Sequence, residues 1–326
     1  MPIGLLSVSG FTPERVIDNS QISHWSDASE EWITRKTGIH ERRYAGDDMA
    51  VSHLAANAAR PLLPDDEARD KVALLIVATA TPDQPQPATA CFVQETLGLG
   101  LIPAFDVSAV CSGYLYGLVI AEALLSGRYR GSQALVIGAD KFSAIMDRTD
   151  RRTVSLFGDG AGATLVGPVP DGYGIHGSAL AADGKGAGLV RVEAGGSRQP
   201  LTGQARDQGG HRFRMDGRGV TAWAERFVPQ VVHQAAEQAG WGIDAIDRAV
   251  FHQGNVRLVQ ALGKTIGIPE SKLAFTAPEF GNTAGAAVPL TLAEEHGKVP
   301  FQRGERILLA SVGGGMTAGA VALTWY

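Results

Sequence analysis

Three residues of this chain have side chains suited to acyl transfer: Cys111 and His252 each follow an apolar run, and Asn282 stands in a glycine-flanked elbow. Cys111 follows the predicted strand 102–107 and opens the long apolar segment 113–125, which puts a thiol at a strand-to-helix elbow. There, unpaired backbone N–H groups and the positive end of the helix dipole favour thiolate over thiol, so a lowered pKa is expected. The same N–H groups can hold the oxyanion formed when sulfur attacks a carbonyl. A lone intracellular cysteine is also commonly an inert buried hydrophobe, and Cys111 by itself leaves that alternative open.

His252 directly follows Ala249-Val250-Phe251, at the carboxyl end of a predicted strand, where open α/β sheets bind ligands. Gln253-Gly254-Asn255 then turns into a helix starting near Val256. Asn282 lies in Phe280-Gly281-Asn282-Thr283-Ala284-Gly285, a second elbow resembling the first. An Asn beside Gly is often only a turn residue. Here its amide would point toward the first elbow and donate to a developing negative charge. Cys, His and Asn in this order also suit a papain-like protease. Against that, Cys111 is preceded by Ser108-Ala109-Val110, without the cysteine-rich signature of that family, and the continuous βα alternation is wrong for it.

The elements that must position these residues alternate along the chain. Strands are predicted at 72–78, 102–107, 134–139, 163–166, 248–251, 307–311 and 321–324, and helices at 51–63, 90–97, 113–125, 220–239, 256–266 and 286–295. This is an α/β pattern with buried, largely parallel strands. Segment 103–106 is echoed at 273–276, 134–138 at 307–311 and 75–78 at 249–251, each at an offset near 170 residues. The repeat divides the chain into two similar halves, 1–170 and 171–326, with reactive groups expected where they meet. The polar, Gly-rich stretch 195–210 reads as a lid over the site. Gly158-Asp159-Gly160-Ala161-Gly162 leads into a strand rather than a helix, which excludes a Rossmann phosphate loop. Gly313-Gly314-Gly315 follows a strand and can bring bare backbone N–H groups close to a ligand.

A net charge of −5 without a dense Lys/Arg run argues against a nucleic-acid surface. The two cysteines, Cys91 and Cys111, form no disulfide framework, and no His/Cys cluster has metal-ligand spacing. The start, Met1 to Leu6, lacks a basic n-region, so no signal peptide is expected. No apolar run reaches the ~18 residues of a membrane span. A cytoplasmic enzyme is expected, without membrane association.

Across essentially its whole length the chain resembles a β-ketoacyl-ACP synthase III, a condensing enzyme of the thiolase superfamily. The resemblance rests on Glu31-Trp32-Ile33 with Lys36-Thr37-Gly38-Ile39, and on Phe105-Asp106-Val107 leading to Cys111-Ser112-Gly113. It continues through Phe157-Gly158-Asp159-Gly160, His252-Gln253 with Asn255 and Arg257, Gly281-Asn282-Thr283 and Gly313-Gly314-Gly315. It implies a duplicated thiolase fold of five αβαβα layers, a homodimer and a Cys111–His252–Asn282 triad, with Cys111 and Gly314 forming the oxyanion hole. Cys111 would take an acyl group from an acyl-CoA or acyl-ACP primer. His252 and Asn282 would hold the thioester carbonyl of malonyl-ACP or malonyl-CoA during decarboxylation, giving a 3-oxoacyl thioester in fatty-acid or polyketide biosynthesis. No metal or bound cofactor is implied beyond the CoA- and ACP-borne substrates.

By the same resemblance Trp32, Lys36 and Arg151 bind CoA, Trp32 and Arg151 gripping the adenine. Arg257 edges the surface where acyl carrier protein docks. Gln86 takes the place of a bulky Phe that lines the partner subunit's acyl pocket. Lys36 stands where the family commonly has Arg, Ala28 where it has Thr, and Ala318 where it has Trp. These departures leave the primer, the extender carrier and the pathway open. A specialised ketosynthase or acyltransferase of secondary metabolism is the alternative. A non-catalytic partner subunit is discouraged by the presence of all three reactive residues.

Overall fold

The computed structural model describes all 326 residues. Strand β1 (Ile3–Phe11) is followed by a small antiparallel pair, β2 (Val16–Asp18) with β3 (Glu41–Arg43), whose strands are joined through helices Asn19–Trp25 and Glu30–Thr37. Then come β4 (Val72–Ala78), β5 (Ala104–Val107), β6 (Gln133–Lys141) and β7 (Asp159–Pro168), which with β1 form a five-stranded sheet ordered β1-β7-β6-β4-β5. The second sheet takes β8 (Gly174–Ala182), β11 (Arg248–Phe251), β12 (Arg306–Gly313) and β13 (Thr317–Thr324), ordered β11-β12-β13-β8. Between β8 and β11 a separate ribbon forms from β9 (Val190–Val192) and β10 (Phe213–Met215). The two main sheets share one order, and the place of β5 is held in the second by a parallel bridge from Ala249 to Leu273.

Alternation along the central strands builds the layers, because successive side chains point to opposite faces. Leu74 and Ile76 face inward with Leu309, Val321 and Leu323 of the other sheet, packing around Tyr114, Leu118, Val288 and Leu292 of two central helices, Gly113–Ser126 and Ala287–Lys298. Leu75, Val77, Leu135 and Ile137 face outward against helix Val51–Ala59. Leu308, Ala310, Ala320 and Ala322 do the same against helices Gly217–Gln238 and Val256–Ile266. The result is five layers, helix-sheet-helix-sheet-helix. No helix is long and apolar enough to cross a membrane.

The expectation of largely parallel strands is corrected. Only β4·β5, β4·β6 and β11·β12 pair in parallel, while β1·β7, β6·β7, β12·β13 and β8·β13 are antiparallel. A parallel return needs a crossover of a dozen or more residues, and β12 reaches β13 through a tight Gly314–Met316 turn. Residues 163–166 form a strand, as expected, and β7 begins earlier, taking in most of the glycine cluster from Asp159. The β2–β3 pair carries between its strands helix Glu30–Thr37, which brings Trp32, Lys36 and Thr37 to the cavity as a cap. Buried Arg42 fastens this cap, donating to Ile17 O at 3.2 Å, Asn19 Oδ1 at 2.9 Å and Ser155 O at 2.7 Å.

Candidate active site

Val110–Ser112 make a single tight turn that runs straight into helix Gly113–Ser126, so Cys111 sits at a true elbow. Val110 adopts φ 48°, a left-handed conformation that a β-branched residue holds only when its surroundings compel it. Those surroundings come from the second half. Ser311 Oγ donates to Cys111 O at 2.8 Å, Ser112 Oγ to Thr317 O at 3.3 Å, and Thr317 Oγ1 to Ala109 O at 3.1 Å. A Cβ on Gly313 would lie 2.5 Å from Ala109 O, so the bare backbone there lets the turn carrying Gly314 seat against the elbow.

His252 continues the β11–β12 pairing through its N–H to Ala310 O at 2.8 Å. Its Nδ1 is buried without a hydrogen-bond partner, and the residue lines the cavity. Buried Gln253 ties this strand end to the segment leading to Asn282. It donates to Phe251 O and Ala274 O at 2.8 and 3.1 Å, and accepts from Thr276 and Ala277 N–H at 3.0 and 3.2 Å. Asn282 turns its Oδ1 back to accept from the Ala284 N–H at 2.9 Å, which leaves the amide hydrogens for the cavity.

Cys111, His252, Asn282 and Gly314 line one cavity of about 1260 Å³, together with Trp32 and Lys36. That volume exceeds what a drug-sized ligand needs and suits a long thioester. Arg151 lies outside the lining, its guanidinium 5.4 Å from the Trp32 ring centroid. A base held between the two needs about 7 Å, two van der Waals contacts, so Arg151 and Trp32 must part to admit one. Exposed Arg257 lies off the cavity, donating to Arg35 O at 3.4 Å. Gln86 is exposed and away from the cavity of its own chain. Ala28 is buried among Ile17, Ile22 and Ile33, and Ala318 in the core of the second half.

Electrostatics overturn the expectation of an acidified thiol. Burial pushes the Cys111 thiol up, the carboxylate of Asp140 pushes it further, and a backbone hydrogen bond offsets only part of this. Burial also lowers His252 to about 4. The resting pair is therefore a neutral thiol beside a neutral imidazole, not a preformed ion pair. Alkylation by iodoacetamide tracks thiolate. Its rate at Cys111 should still be climbing between pH 7 and 10, whereas a plateau below pH 8 would contradict this charge state.

Sequence reasoning missed several walls of the site. Val190, Arg191, Phe213, Arg214 and Met215, from the β9–β10 ribbon, line it, as does the start of helix Gly217–Gln238. Phe142 and Phe157 stack at 4.6 Å, with Phe213 edge-on at 5.2 and 5.0 Å, in the apolar cluster that includes Cys111. The stretch 195–210, expected as a lid, is the ribbon's connecting loop and contains the short helix Gly203–Asp207. Its flanking strands reach the cavity and it does not.

Two sheets enclosing two central helices, each helix entered through an elbow at the shared cavity, define a thiolase-fold condensing enzyme. A family model for 3-oxoacyl-[acyl-carrier-protein (ACP)] synthase III matches residues 105–184, and the model of its C-terminal part matches 236–325. The chain is 40% identical to acetoacetyl CoA synthase NphT7 of Streptomyces sp. strain CL190, covering 98% of each. It is 39% identical to the β-ketoacyl-ACP synthase III of Geobacillus kaustophilus, covering 100% of this chain and 99% of that one. The crystal structure of the Thermus thermophilus synthase III superposes with a TM-score of 0.91 at 36% identity, over 99% of each chain. The chain belongs to the β-ketoacyl-ACP synthase III family. It is an acyltransferase-class condensing enzyme that joins an acyl primer to a malonyl extender, in fatty-acid biosynthesis or a related specialised pathway.

Proposed function

We propose that Cys111, His252 and Asn282 divide the condensation between them, within halves 1–170 and 171–326. The observation carrying this reading is their meeting in one cavity with the Asn282 amide hydrogens free. Cys111 Sγ attacks the primer thioester carbonyl, its proton leaves with the departing CoA or ACP thiol, and acyl-Cys111 remains. The N–H groups of Cys111 and Gly314 hold the tetrahedral oxyanion. A malonyl thioester then binds with its carbonyl oxygen between His252 Nε2 and Asn282 Nδ2. The bond to the carboxylate breaks, CO2 leaves, and the electron pair moves onto that oxygen as an enolate. The enolate carbon attacks acyl-Cys111, the C–S bond breaks, and the Cys111 thiolate so released takes a proton from solvent water. An amide cannot serve as a base, which favours enolate stabilisation over plain hydrolysis.

Trp32, Lys36 and Arg151 are assigned to the CoA nucleotide, the Trp–Arg contact opening around the base. Arg257 is assigned to the carrier-protein edge. The homodimer is supported by β5, an edge strand whose residues are all half-buried, and by fully exposed Leu101 just before it. In that dimer Gln86, with no hydrogen bond to its side chain, reaches the partner's acyl pocket. Both cysteines are free, in keeping with a reducing cytoplasm. A CoA-borne extender is a second reading, favoured by the 40% identity to an acetoacetyl CoA synthase.

A panel of acyl thioesters, read by intact-protein mass and by specificity constants with malonyl-ACP and malonyl-CoA, tests the assignment. An amide buried in an apolar tunnel without partners costs roughly 1–3 kcal/mol. Gln86 should therefore disfavour acetyl-CoA and favour a longer, branched or functionalised primer. A clear acetyl-CoA optimum that persists in Gln86→Phe would defeat the pocket assignment.

A further inference from the structure

Asp140 is the most heavily hydrogen-bonded carboxylate near the cavity, yet it does not line it. It lies near the end of β6 with no exposure to solvent. Oδ1 accepts from Thr79 Oγ1 at 3.0 Å, Ala80 N–H at 2.8 Å, Thr81 N–H at 3.1 Å and Thr81 Oγ1 at 2.8 Å. Oδ2 accepts from one donor, the Gly285 N–H at 2.7 Å. A buried carboxylate surrounded only by neutral donors is costly to keep and strongly attracts each of them.

The Gly285 contact reaches the second elbow. Ala284 there holds φ 52°, a left-handed conformation unusual for alanine, matching that of Val110 at the first. The Ala284 N–H fixes the Asn282 amide through Oδ1. The elbow also presses on β6, since a Cβ on Gly138 would lie 2.2 Å from Gly285 O. Asp140 Oδ2, Gly285, Ala284 and Asn282 thus form a continuous chain of contacts from a buried charge to the free amide donors.

We infer that Asp140 is a positioning residue for the decarboxylation half-reaction: its hold on Gly285 keeps the strained elbow in the conformation that aims the Asn282 amide into the cavity. This rests on the role proposed for Asn282 above. Loss of the hold lets the Ala284 turn relax and the amide rotate, which presents its oxygen to the enolate. Asp140 also acts on Cys111, in the opposite sense, because its charge opposes formation of the thiolate.

The two effects give Asp140→Asn a signature that a merely structural role lacks. The new amide places a donor against the Gly285 N–H and removes the charge. Malonyl-thioester decarboxylation should fall by about 30-fold in kcat with KM little changed, somewhat less than losing the donor outright. Acylation of Cys111 by the same primer, timed by intact-protein mass, should hold or quicken. Thr79→Val removes one of four donors to Oδ1, leaves the Gly285 contact and should not produce the split. Should Asp140→Asn not fold, Gly285→Ala puts a Cβ 2.9 Å from Oδ2 and should give the same separation of half-reactions. Parallel loss of both half-reactions, wild-type decarboxylation in Asp140→Asn, or collapse of both variants would overturn the proposal. Wild-type protein that acylates but never decarboxylates a malonyl thioester would overturn the underlying reading instead, and would do so before any variant is compared.

Discussion

Cys111→Ala should carry no acyl adduct after incubation with any primer thioester and should form no condensation product. The substitution removes one sulfur from the wall of an existing cavity, so the helix and elbow keep their packing and the melting temperature should change little. Cys91 cannot substitute, because it is exposed on helix Thr89–Thr96 and away from the cavity. Cys91→Ala should therefore acylate normally. His252 and Asn282 remain in place in Cys111→Ala, so a malonyl thioester should still lose CO2, giving the simple acetyl thioester in place of a 3-oxoacyl product. Intact mass for the adduct and product analysis for the thioester read both outcomes. An undiminished adduct on Cys111→Ala would sink the nucleophile assignment.

The position of His252 was legible because it follows the buried run Ala249–Phe251, that of Cys111 because a strand and a long apolar helix meet at it, and that of Asn282 only as the counterpart of the Cys111 elbow. Their protonation states were not. The dipole and free N–H groups at Cys111 are local, but the burial and the Asp140 charge that oppose them come from packing and from a residue on another strand. Asp140 itself had a faint signal, a carboxylate directly closing the apolar run 134–139. The repeat was visible at β4 and β11 and at β6 and β12, whose central positions demand large apolar residues. Its edges were obscured: β8 is Gly- and Ala-rich, and the fifth strand of the second half survives only as the Leu273 bridge. The β9–β10 ribbon went unseen because three-residue strands carry too little periodicity, although Phe213 completes the aromatic wall beside Cys111.

His252→Ala and Asn282→Ala should separate the half-reactions in the direction opposite to Cys111→Ala. Both leave the elbow, its N–H groups and the Gly314 turn intact, so some acyl-Cys111 should still accumulate. Decarboxylation should fall by at least ~100-fold in each, the usual scale for one preorganised donor in a water-poor site. His252 at about 4 is neutral throughout the physiological range, so it acts as an N–H donor there and its titration should add no step to the wild-type decarboxylation profile between pH 6 and 8. Asn282→Asp is the sharper test of geometry. An aspartate can still accept from the Ala284 N–H, as Asn282 Oδ1 does at 2.9 Å, so the elbow has no reason to rearrange. The group left facing the enolate is then an oxygen in place of an NH2, and repulsion replaces a hydrogen bond. Decarboxylation in Asn282→Asp should therefore be no better than in Asn282→Ala, despite the closer shape. If Asn282→Asp decarboxylates faster than Asn282→Ala, or if Asn282→Ala loses acylation while decarboxylation survives, the amide is not the donor that holds the enolate.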